Sequence, residues 1–240
     1  MNKFWQFVIS KRKIKNLKIT CLIPFFNEKG RVESVLEKVL KIPEIDEVIA
    51  IDDCSIDGSY ESVKKKFREK VTVLRNEENL GKTDAIRKGL VVSSGDYIFL
   101  CDADLQNFIP AEFSNGFKIL KKDPKIDMII FNREKTGLVE KLTRSHIYLC
   151  GERVLKKADL EKILEQDVKG YQVEMAINMF MIENKKNVLM VGVSTKNTIK
   201  EKKGIKRSVK ENSKMLYQIL AFSGIAGLLS IYLRKWIKEN

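Results

Sequence analysis

Two aspartates separated by a single residue, Asp102 and Asp104, directly follow the apolar run Tyr97–Cys101. Residues two apart in an extended chain point to the same side, so both carboxylates are expected to face one cavity. Carboxylate oxygens suit Mg²⁺ or Mn²⁺, and an incomplete set of protein ligands leaves positions for water and diphosphate oxygens. Gln106 offers one more oxygen, as a ligand or as a hydrogen-bond partner of one. Because such aspartates also cap ordinary turns, the pair predicts a cation site only together with other signals.

Acidic and amide side chains also follow two other apolar runs. Asp52 and Asp53 end one of them, and two adjacent acids are costly there unless they bind something, such as N–H groups of a base or ribose hydroxyls. An earlier run ends in Pro24, which stops strand pairing, and Asn27 and Glu28 follow it. These residues could equally begin an ordinary helix. Their places after successive strands are typical of a ligand site at one edge of a sheet.

A rival phosphate site is the Gly-Lys-Thr triplet at 81–83, which lies between a predicted strand and a predicted helix as in a P-loop. However, Asn76 stands where a P-loop needs its first glycine, and Glu77 and Glu78 would repel phosphate. The pattern therefore argues against a P-loop, and the absence of G-x-G-x-x-G argues against a dinucleotide site.

Short β-rich runs alternate with segments of helical period over the first half of the chain. This alternation predicts an α/β fold, a mainly parallel sheet flanked by helices, with ligands at the carboxyl ends of the strands. The predicted strands are 19–23, 47–51, 71–74, 97–101 and 126–131, and the predicted helices are 31–40, 59–69, 83–92 and 111–121. Further helices are predicted at 138–149, 152–164 and 171–182, before a strand at 187–193.

Composition limits the chemistry further. The 240 residues carry a formal net charge of +13, which favours an anionic partner such as nucleic acid, an acidic membrane surface or a phosphorylated substrate. The four cysteines form no C-x-x-C pair and are expected to be reduced thiols in a cytoplasmic protein. With His146 as the single histidine, a His-rich metal site or a Ser-His-Asp relay is not expected.

Several ordered motifs together resemble glycosyltransferase family two, the inverting GT-A enzymes, and within it the polyprenyl-phosphate sugar synthases. The matching strings, over residues 18–110, are IPFFNE at 23–28, IDDCSIDGS at 51–59, NLGK at 79–82, GD at 95–96 and CDADLQ at 101–106. The resemblance implies a GT-A nucleotide-diphospho-sugar transferase fold. The nucleoside contacts it implies are Pro24, Asn27, Glu28 and Asp53, and the cation ligands are Asp102, Asp104 and Gln106.

The resemblance implies further roles in the second half of the chain. Arg133 and Arg153 are similar to the family's diphosphate and acceptor-phosphate contacts, and guanidinium groups suit both partners. Lys82 is a further donor-binding candidate. Asp104 and Glu174 are the catalytic candidates, and Glu174 would be the base if the acceptor were a hydroxyl. Thr83 and Asp84 depart from the small residues usual after Gly-Lys, and the Q-x-x-R-W signature of processive polymerases is absent, which argues against polysaccharide synthesis.

Charge and hydropathy divide the chain into five predicted parts. These are a basic amphipathic N-terminal segment at 1–17, a GT-A catalytic domain at 18–195, a basic linker at 196–214, an uncharged apolar run at 215–233 and a basic tail at 234–240. The apolar run is near the length that crosses a bilayer and is expected to be a single transmembrane or embedded helix. The alternative is a buried helix of the soluble domain or of an oligomer contact.

These features lead to one leading hypothesis and two others. We expect an enzyme that transfers a sugar with inversion from a UDP- or GDP-linked donor to a polyprenyl phosphate at the cytoplasmic face of the membrane, using Mg²⁺ or Mn²⁺. The second hypothesis is a membrane-anchored family member that acts on a saccharide or protein hydroxyl. The remote alternative, a non-catalytic basic protein that binds membranes or nucleic acid, leaves the acidic clusters unexplained, so no nucleic-acid partner is expected.

Overall fold

A computed structural model describes residues 17–133, 150–169, 172–197 and 237–239. The strands of this part of the chain are β1 Ile19–Phe25, β2 Glu47–Asp52, β3 Thr72–Arg75, β4 Tyr97–Leu100, β5 Leu105–Gln106, β6 Met128–Arg133, β7 Arg153–Lys156, β8 Val188–Val193, β9 Lys196–Asn197 and β10 Ile237–Glu239. The helices are α1 Arg31–Val39, α2 Ser59–Phe67, α3 Lys82–Val92, α4 Pro110–Lys122, α5 Lys157–Leu164 and α6 Gln172–Glu183.

Eight of these strands form one sheet in the order β10-β8-β6-β7-β4-β1-β2-β3. Neighbouring strands are parallel except at β7, which runs antiparallel to both β4 and β6. A separate antiparallel pair joins β5 to β9. The carboxyl ends of β1, β2 and β4 therefore meet at one edge of the sheet, where the predicted site residues follow them.

The sheet is covered on both faces, which explains why its strands are continuous apolar runs. In β1, Cys21 and Ile23 belong to a core shared with α1, α2 and α4, while Leu22 belongs to a core shared with α3, α5 and α6. The first core is aromatic at its centre: the ring of Phe99 lies 5.1 Å from that of Phe117 and 5.6 Å from that of Phe131. Both faces hold β4 firmly, so the residues after it are fixed in position.

The predicted helix at 152–164 is wrong in its first half. Residues Arg153–Lys156 form β7, and the helix, α5, begins at Lys157. Val154 lies in one core and Leu155 in the other, as expected for a strand that is buried between two neighbours. A four-residue strand joined directly to a helix is too short for its sequence to distinguish the strand repeat of two residues from the helical repeat of 3.6 residues. The sheet is consequently mixed at its centre, not parallel throughout.

Two short strands lie in the parts predicted as basic linker and basic tail. The first two residues of the predicted basic linker form β9, and residues 237–239 of the predicted basic tail form β10 beside β8. The apolar run 215–233 and the predicted helix 138–149 lie outside the described residues. Among the residues that are described, no helix is long and apolar enough to cross a bilayer.

Candidate active site

Lys82, the first residue of α3, reaches across the edge of the sheet to two carboxylates. Its Nζ lies 2.8 Å from Oδ1 of Asp102 and 2.8 Å from Oε1 of Glu174. The side chains of Lys82, Asp102 and Glu174 are only 26%, 21% and 8% exposed. Burial opposes the charge of Lys82, but the two carboxylates raise its pKa overall. Two carboxylates from distant parts of the sequence thus share one cation.

Glu152 is a second acid beside Asp102 and is fully buried. Nη2 of Arg133 donates to Oε2 of Glu152 at 2.8 Å, while Oε1 of Glu152 and Nε of Arg133 have no hydrogen-bond partner. Burial raises the pKa of Glu152, and although Arg133 opposes this rise, the charge of Asp102 adds to it. For Asp102 itself, burial is outweighed by Lys82, which lowers the pKa. The sequence reasoning missed Glu152, whose only signal was its place beside Arg153.

Arg153, for which the resemblance implied a phosphate contact, lies in the interior of the protein. Its side chain is fully buried, and its guanidinium donates to the backbone oxygens of Cys150 and Glu174 and, at 3.0 Å, to Oδ1 of Asn178. Burial lowers the pKa of Arg153. Arg153 therefore ties β7 to α6 and fixes the helix that carries Glu174. In this structure the guanidinium of Arg153 contacts groups of the chain itself, and the phosphate contact that the resemblance implied for it stays a prediction.

Gly151 packs directly against Asp102. A Cβ atom added at Gly151 would lie 2.6 Å from Oδ2 and 2.8 Å from Oδ1 of Asp102, closer than real contacts allow. Only glycine lets the backbone approach the carboxylate this closely. We call the six charged residues around this point the charge cluster; they are Lys82, Asp102, Arg133, Glu152, Arg153 and Glu174.

The carboxylate of Asp53 is held by the loop before α3. It accepts hydrogen bonds from Nδ2 of Asn76 at 2.8 Å, from the N–H of Leu80 at 3.0 Å and from the N–H of Gly81 at 2.7 Å. In a P-loop such N–H groups would cradle phosphate. Here they bind Asp53, which agrees with the sequence argument against a P-loop. Asp53 positions Lys82, because the loop that it fixes leads directly into α3.

The loops after β1 and β2 are bound to each other. The N–H of Asn27 donates to Oγ of Ser55, and Oδ1 of Asn27 accepts from the N–H of Ile56, both at 2.9 Å. Asp52 is fully buried, accepts from the N–H of Ser55 at 3.1 Å and has Nε of Arg75 at 3.3 Å. Burial raises the pKa of Asp52. We call these two loops, with Asp53, the β1–β2 rim.

The adjacent acids Asp52 and Asp53 are thus hydrogen-bonded within the chain, so the electrostatic cost of placing them side by side is offset without a ligand. Of the other residues expected at the nucleoside, Pro24 is half-buried in β1, and Glu28 forms an ion pair with Arg31 at the start of α1. The structure therefore brings Pro24, Asn27, Glu28 and Asp53 to one end of the sheet, as the sequence predicted.

Asp104 and Gln106 are placed differently from the expectation. The chain turns at Ala103 and Asp104 instead of remaining extended, so the argument that both aspartates point to one side does not apply. Gln106 lies in β5 and is exposed. Among the described residues, no three His, Cys, Asp or Glu side chains lie close enough to hold a metal by themselves. Asp102 and Glu174 are two carboxylates that contact one cationic group, the ammonium of Lys82.

This pair fits a hard divalent cation. Mg²⁺-type sites commonly use one or two carboxylates and take their other oxygens from substrate phosphates and water. The ammonium of Lys82 lies between Asp102 and Glu174, so these two carboxylates accommodate one positive group in this structure. Oε2 of Glu174 is buried without a hydrogen-bond partner and is a further oxygen at this place.

Comparison with known proteins identifies the family. The family model described as "Glycosyl transferase family 2" matches residues 20–189. The chain belongs to glycosyl transferase family 2. An uncharacterized glycosyltransferase of Haemophilus influenzae is 30% identical over 112 residues, which are 46% of this chain and 37% of that protein. A dolichyl-phosphate beta-glucosyltransferase of Dictyostelium discoideum is 27% identical over 152 residues, 58% of this chain and 46% of that protein.

A third family 2 relative is the poly-beta-1,6-N-acetyl-D-glucosamine synthase of Staphylococcus aureus, 31% identical over 131 residues, 52% of this chain and 31% of that protein. The chain thus spans less than half the length of these relatives. Among solved structures, glucosyl-3-phosphoglycerate synthase from Mycobacterium tuberculosis superposes with a TM-score of 0.66 at 19% identity, covering 85% of this chain and 79% of that one. This likeness shows that the fold is the GT-A fold.

Proposed function

We propose that this protein transfers a sugar from a nucleoside-diphosphate donor to a polyprenyl phosphate, with inversion and with a divalent cation. The observation that carries the proposal is that Asp102 and Glu174, at the carboxyl edge of the sheet, share the ammonium of Lys82; we call the place between these two carboxylates the cation seat. Such a cation would stabilise the charge that grows on the departing nucleoside diphosphate. The mycobacterial synthase of the same fold was crystallised with Mn²⁺ and UDP-glucose, which supports this part of the proposal.

Residues of this chain have assigned roles in the proposal. Asp102 and Glu174 hold the cation, and Asp104 and Gln106 follow at the same edge as further oxygen candidates. Lys82 and Arg133 lie beside Asp102 and Glu152 and are the cationic groups placed to contact diphosphate oxygens. Pro24, Asn27, Glu28 and Asp53 shape the end of the sheet that receives the nucleoside. Arg153 positions Glu174 from behind.

A lipid phosphate is the favoured acceptor for two reasons. The Dictyostelium relative is by name a dolichyl-phosphate glucosyltransferase. In addition, Glu174 already shares Lys82 with Asp102, so its carboxylate serves as a cation partner instead of standing free as a base. A phosphate acceptor is largely ionised near neutral pH and needs positioning rather than deprotonation. The alternative acceptor, a saccharide or protein hydroxyl, would need a base. The similarity to the staphylococcal poly-beta-1,6-N-acetyl-D-glucosamine synthase supports this alternative.

We propose that the protein associates with the cytoplasmic face of a membrane without crossing it. The net charge of +13 suits acidic lipid headgroups. Because residues 237–239 pair with β8, which precedes the apolar run in the sequence, we propose that the run 215–233 embeds in one leaflet and does not span the bilayer. The test is labelling with a membrane-impermeant maleimide in sealed vesicles. A cysteine added after Asn240 and a Lys65→Cys variant in α2 should be labelled from the same side. Labelling from opposite sides would contradict the proposal.

The proposed reaction is tested by supplying the full chain with radiolabelled UDP- and GDP-sugars, polyprenyl phosphate, and Mg²⁺, Mn²⁺ or EDTA. We expect cation-dependent label in the organic phase, with one donor preferred. Label released only as free sugar would leave the donor half of the proposal standing and refute the lipid acceptor. No turnover of any donor would refute the proposal as a whole.

A further inference from the structure

Lys82 lies where the proposed function requires a divalent cation. We propose that Lys82 is a built-in substitute for that cation, which occupies the seat between Asp102 and Glu174 until cation and donor arrive together. Cation and nucleoside diphosphate then bind cooperatively, because each helps to move Lys82 to a new partner. This inference rests on the proposed function, since it assumes that the seat takes a cation and a diphosphate.

The geometry supports substitution rather than simple proximity. The two contacts of Nζ, each 2.8 Å, go to carboxylates from the end of β4 and from α6, and Lys82 itself comes from α3. Like charges from separate elements would repel each other if the seat were empty. The ammonium therefore supplies the positive charge that keeps the edge closed, and it occupies the place where a cation would touch both carboxylates.

Charge balance shows why the cation should not enter alone. The charge cluster contains three basic side chains and three carboxylates, which influence one another electrostatically. Its formal charge is thus zero, and a divalent cation alone would leave two positive charges in a poorly solvated place. A donor diphosphate brings two negative charges. Cation and diphosphate together restore the balance, so the pair should bind far better than the cation alone.

The ammonium of Lys82 can also move from the two carboxylates to a new partner. Its charge sits on a flexible four-carbon chain, which lets the ammonium move while its backbone stays in place. That backbone is the first residue of an 11-residue helix and follows Gly81, whose φ is 93° and whose N–H is held by Asp53. A diphosphate at this edge would offer oxygens to the displaced ammonium. The step is an exchange of partners and involves no covalent chemistry.

The test measures Mn²⁺ binding to the full chain from the electron paramagnetic resonance signal of free Mn²⁺, with and without UDP or GDP. For the wild type, we expect nucleoside diphosphate to tighten Mn²⁺ binding at least about tenfold, which is an ordinary coupling strength. In Lys82→Met, Mn²⁺ should bind about tenfold more tightly than in the wild type when no nucleotide is present. The coupling factor should also fall below that of the wild type, because no substitute remains to be displaced, while direct contact between cation and diphosphate keeps it above one.

Lys88→Met is the matched control, since it removes one positive charge from the same helix while Lys88 is exposed and contacts only the backbone oxygen of Arg75 among the described partners. It should leave Mn²⁺ binding and coupling unchanged. If Lys82→Met unfolds, as thermal unfolding would reveal, Lys82→Gln takes its place. Lys82→Arg keeps the charge and should keep the coupling.

Two results would overturn the inference, and they differ in their reach. If the wild type binds Mn²⁺ and turns over a donor, but folded Lys82→Met binds Mn²⁺ no more tightly, the substitution by Lys82 is refuted and the proposed function stands. If the wild type binds no Mn²⁺ with either nucleotide and turns over no donor, both proposals are refuted.

Discussion

The β1–β2 rim and the charge cluster satisfy their carboxylates in different ways. Asp53 accepts hydrogen bonds from two backbone N–H groups and one amide, all of them neutral and fixed by the path of the chain. Asp102 and Glu174 instead share the ammonium of one long side chain. A backbone donor cannot leave without unfolding its loop, whereas a lysine can rotate away. The difference suggests that the rim gives the site its shape and that the charge cluster exchanges partners.

The largest effect is expected from Asp102→Asn, which removes one of the two carboxylates of the cation seat. We expect turnover of the donor to fall by about 10²–10³, the effect of losing several kcal/mol of charge stabilisation in the transition state. Mn²⁺ binding should weaken as well. The melting temperature should change little, because Lys82 retains Glu174 as a partner. Steady-state turnover and thermal unfolding of the purified variant measure the two effects. A large fall in melting temperature would mean that the charge cluster stabilises the fold as the β1–β2 rim does, and would contradict the difference drawn here.

A second test inserts a methyl group beside Asp102. In Gly151→Ala the new Cβ would lie 2.6 Å from Oδ2, so the carboxylate must shift. We expect turnover to fall up to about 10²-fold, since misplacements of about 1 Å can cost this much. Steady-state kinetics with the preferred donor measure the loss.

Gly116→Ala is the matched control for that test. Its Cβ would lie 2.5 Å from Cε1 of Phe131, inside the aromatic core, and none of the atoms that it would meet belongs to the charge cluster. Overpacking there should reduce the free energy of unfolding by about 1–3 kcal/mol, while the folded fraction keeps its turnover. If Gly116→Ala lost turnover as strongly as Gly151→Ala, the effect at Gly151 could not be assigned to Asp102.

Asp53→Asn makes the same substitution, carboxylate to amide, in the β1–β2 rim that Asp102→Asn makes in the charge cluster. The carboxylate accepts with both oxygens, so an amide NH₂ would face the N–H of Leu80 or of Gly81. We expect the free energy of unfolding to fall by about 1–3 kcal/mol, the cost of an unsatisfied buried donor. Denaturant unfolding measures it. A stable variant that had lost all turnover would instead assign Asp53 to the chemistry.

The sequence predicted the first half of the site better than the second, for physical reasons. The residues of the β1–β2 rim follow two strands whose apolar runs are easy to recognise, so Asn27 and Asp53 could be placed at one edge from pattern alone. Glu174 was placed only by resemblance, and its partner Lys82 is 92 residues away in the sequence. Such long-range pairs depend on how the helices pack on the sheet, and local periodicity does not contain that information.

Two further features could not be predicted for the same kind of reason. Arg153 was assigned a phosphate contact from the resemblance alone, and Glu152 was not singled out, whereas both side chains are fully buried. Charged residues are seldom buried, so sequence reasoning places them at the surface by default. A buried charge is recognised only when its partners are known, and here they come from β6, α6 and the loop at Cys150.

The smallest effect is expected from a substitution at Ser55 in the β1–β2 rim. Oγ of Ser55 accepts the N–H of Asn27 at 2.9 Å and so joins the loops after β1 and β2. Ser55→Ala removes this part-buried hydrogen bond and the hydrogen bond of the Ser55 side chain to the Asp52 carboxylate, and should reduce the free energy of unfolding by about 1–2 kcal/mol. Ile56→Ser, at a side chain that is 88% exposed, is the control and should change it by less than about 0.5 kcal/mol.

The two kinds of residue should also differ in ligand binding. If the rim only shapes the nucleoside end, Ser55→Ala should weaken nucleoside-diphosphate binding severalfold and leave Mn²⁺ affinity in the absence of nucleotide unchanged, because no member of the charge cluster contacts Ser55 through the described hydrogen bonds. Titration calorimetry with UDP or GDP, beside Mn²⁺ binding, measures the two separately. A parallel loss of both would mean that rim and charge cluster move as one unit, and the distinction between shape and exchange would then fail.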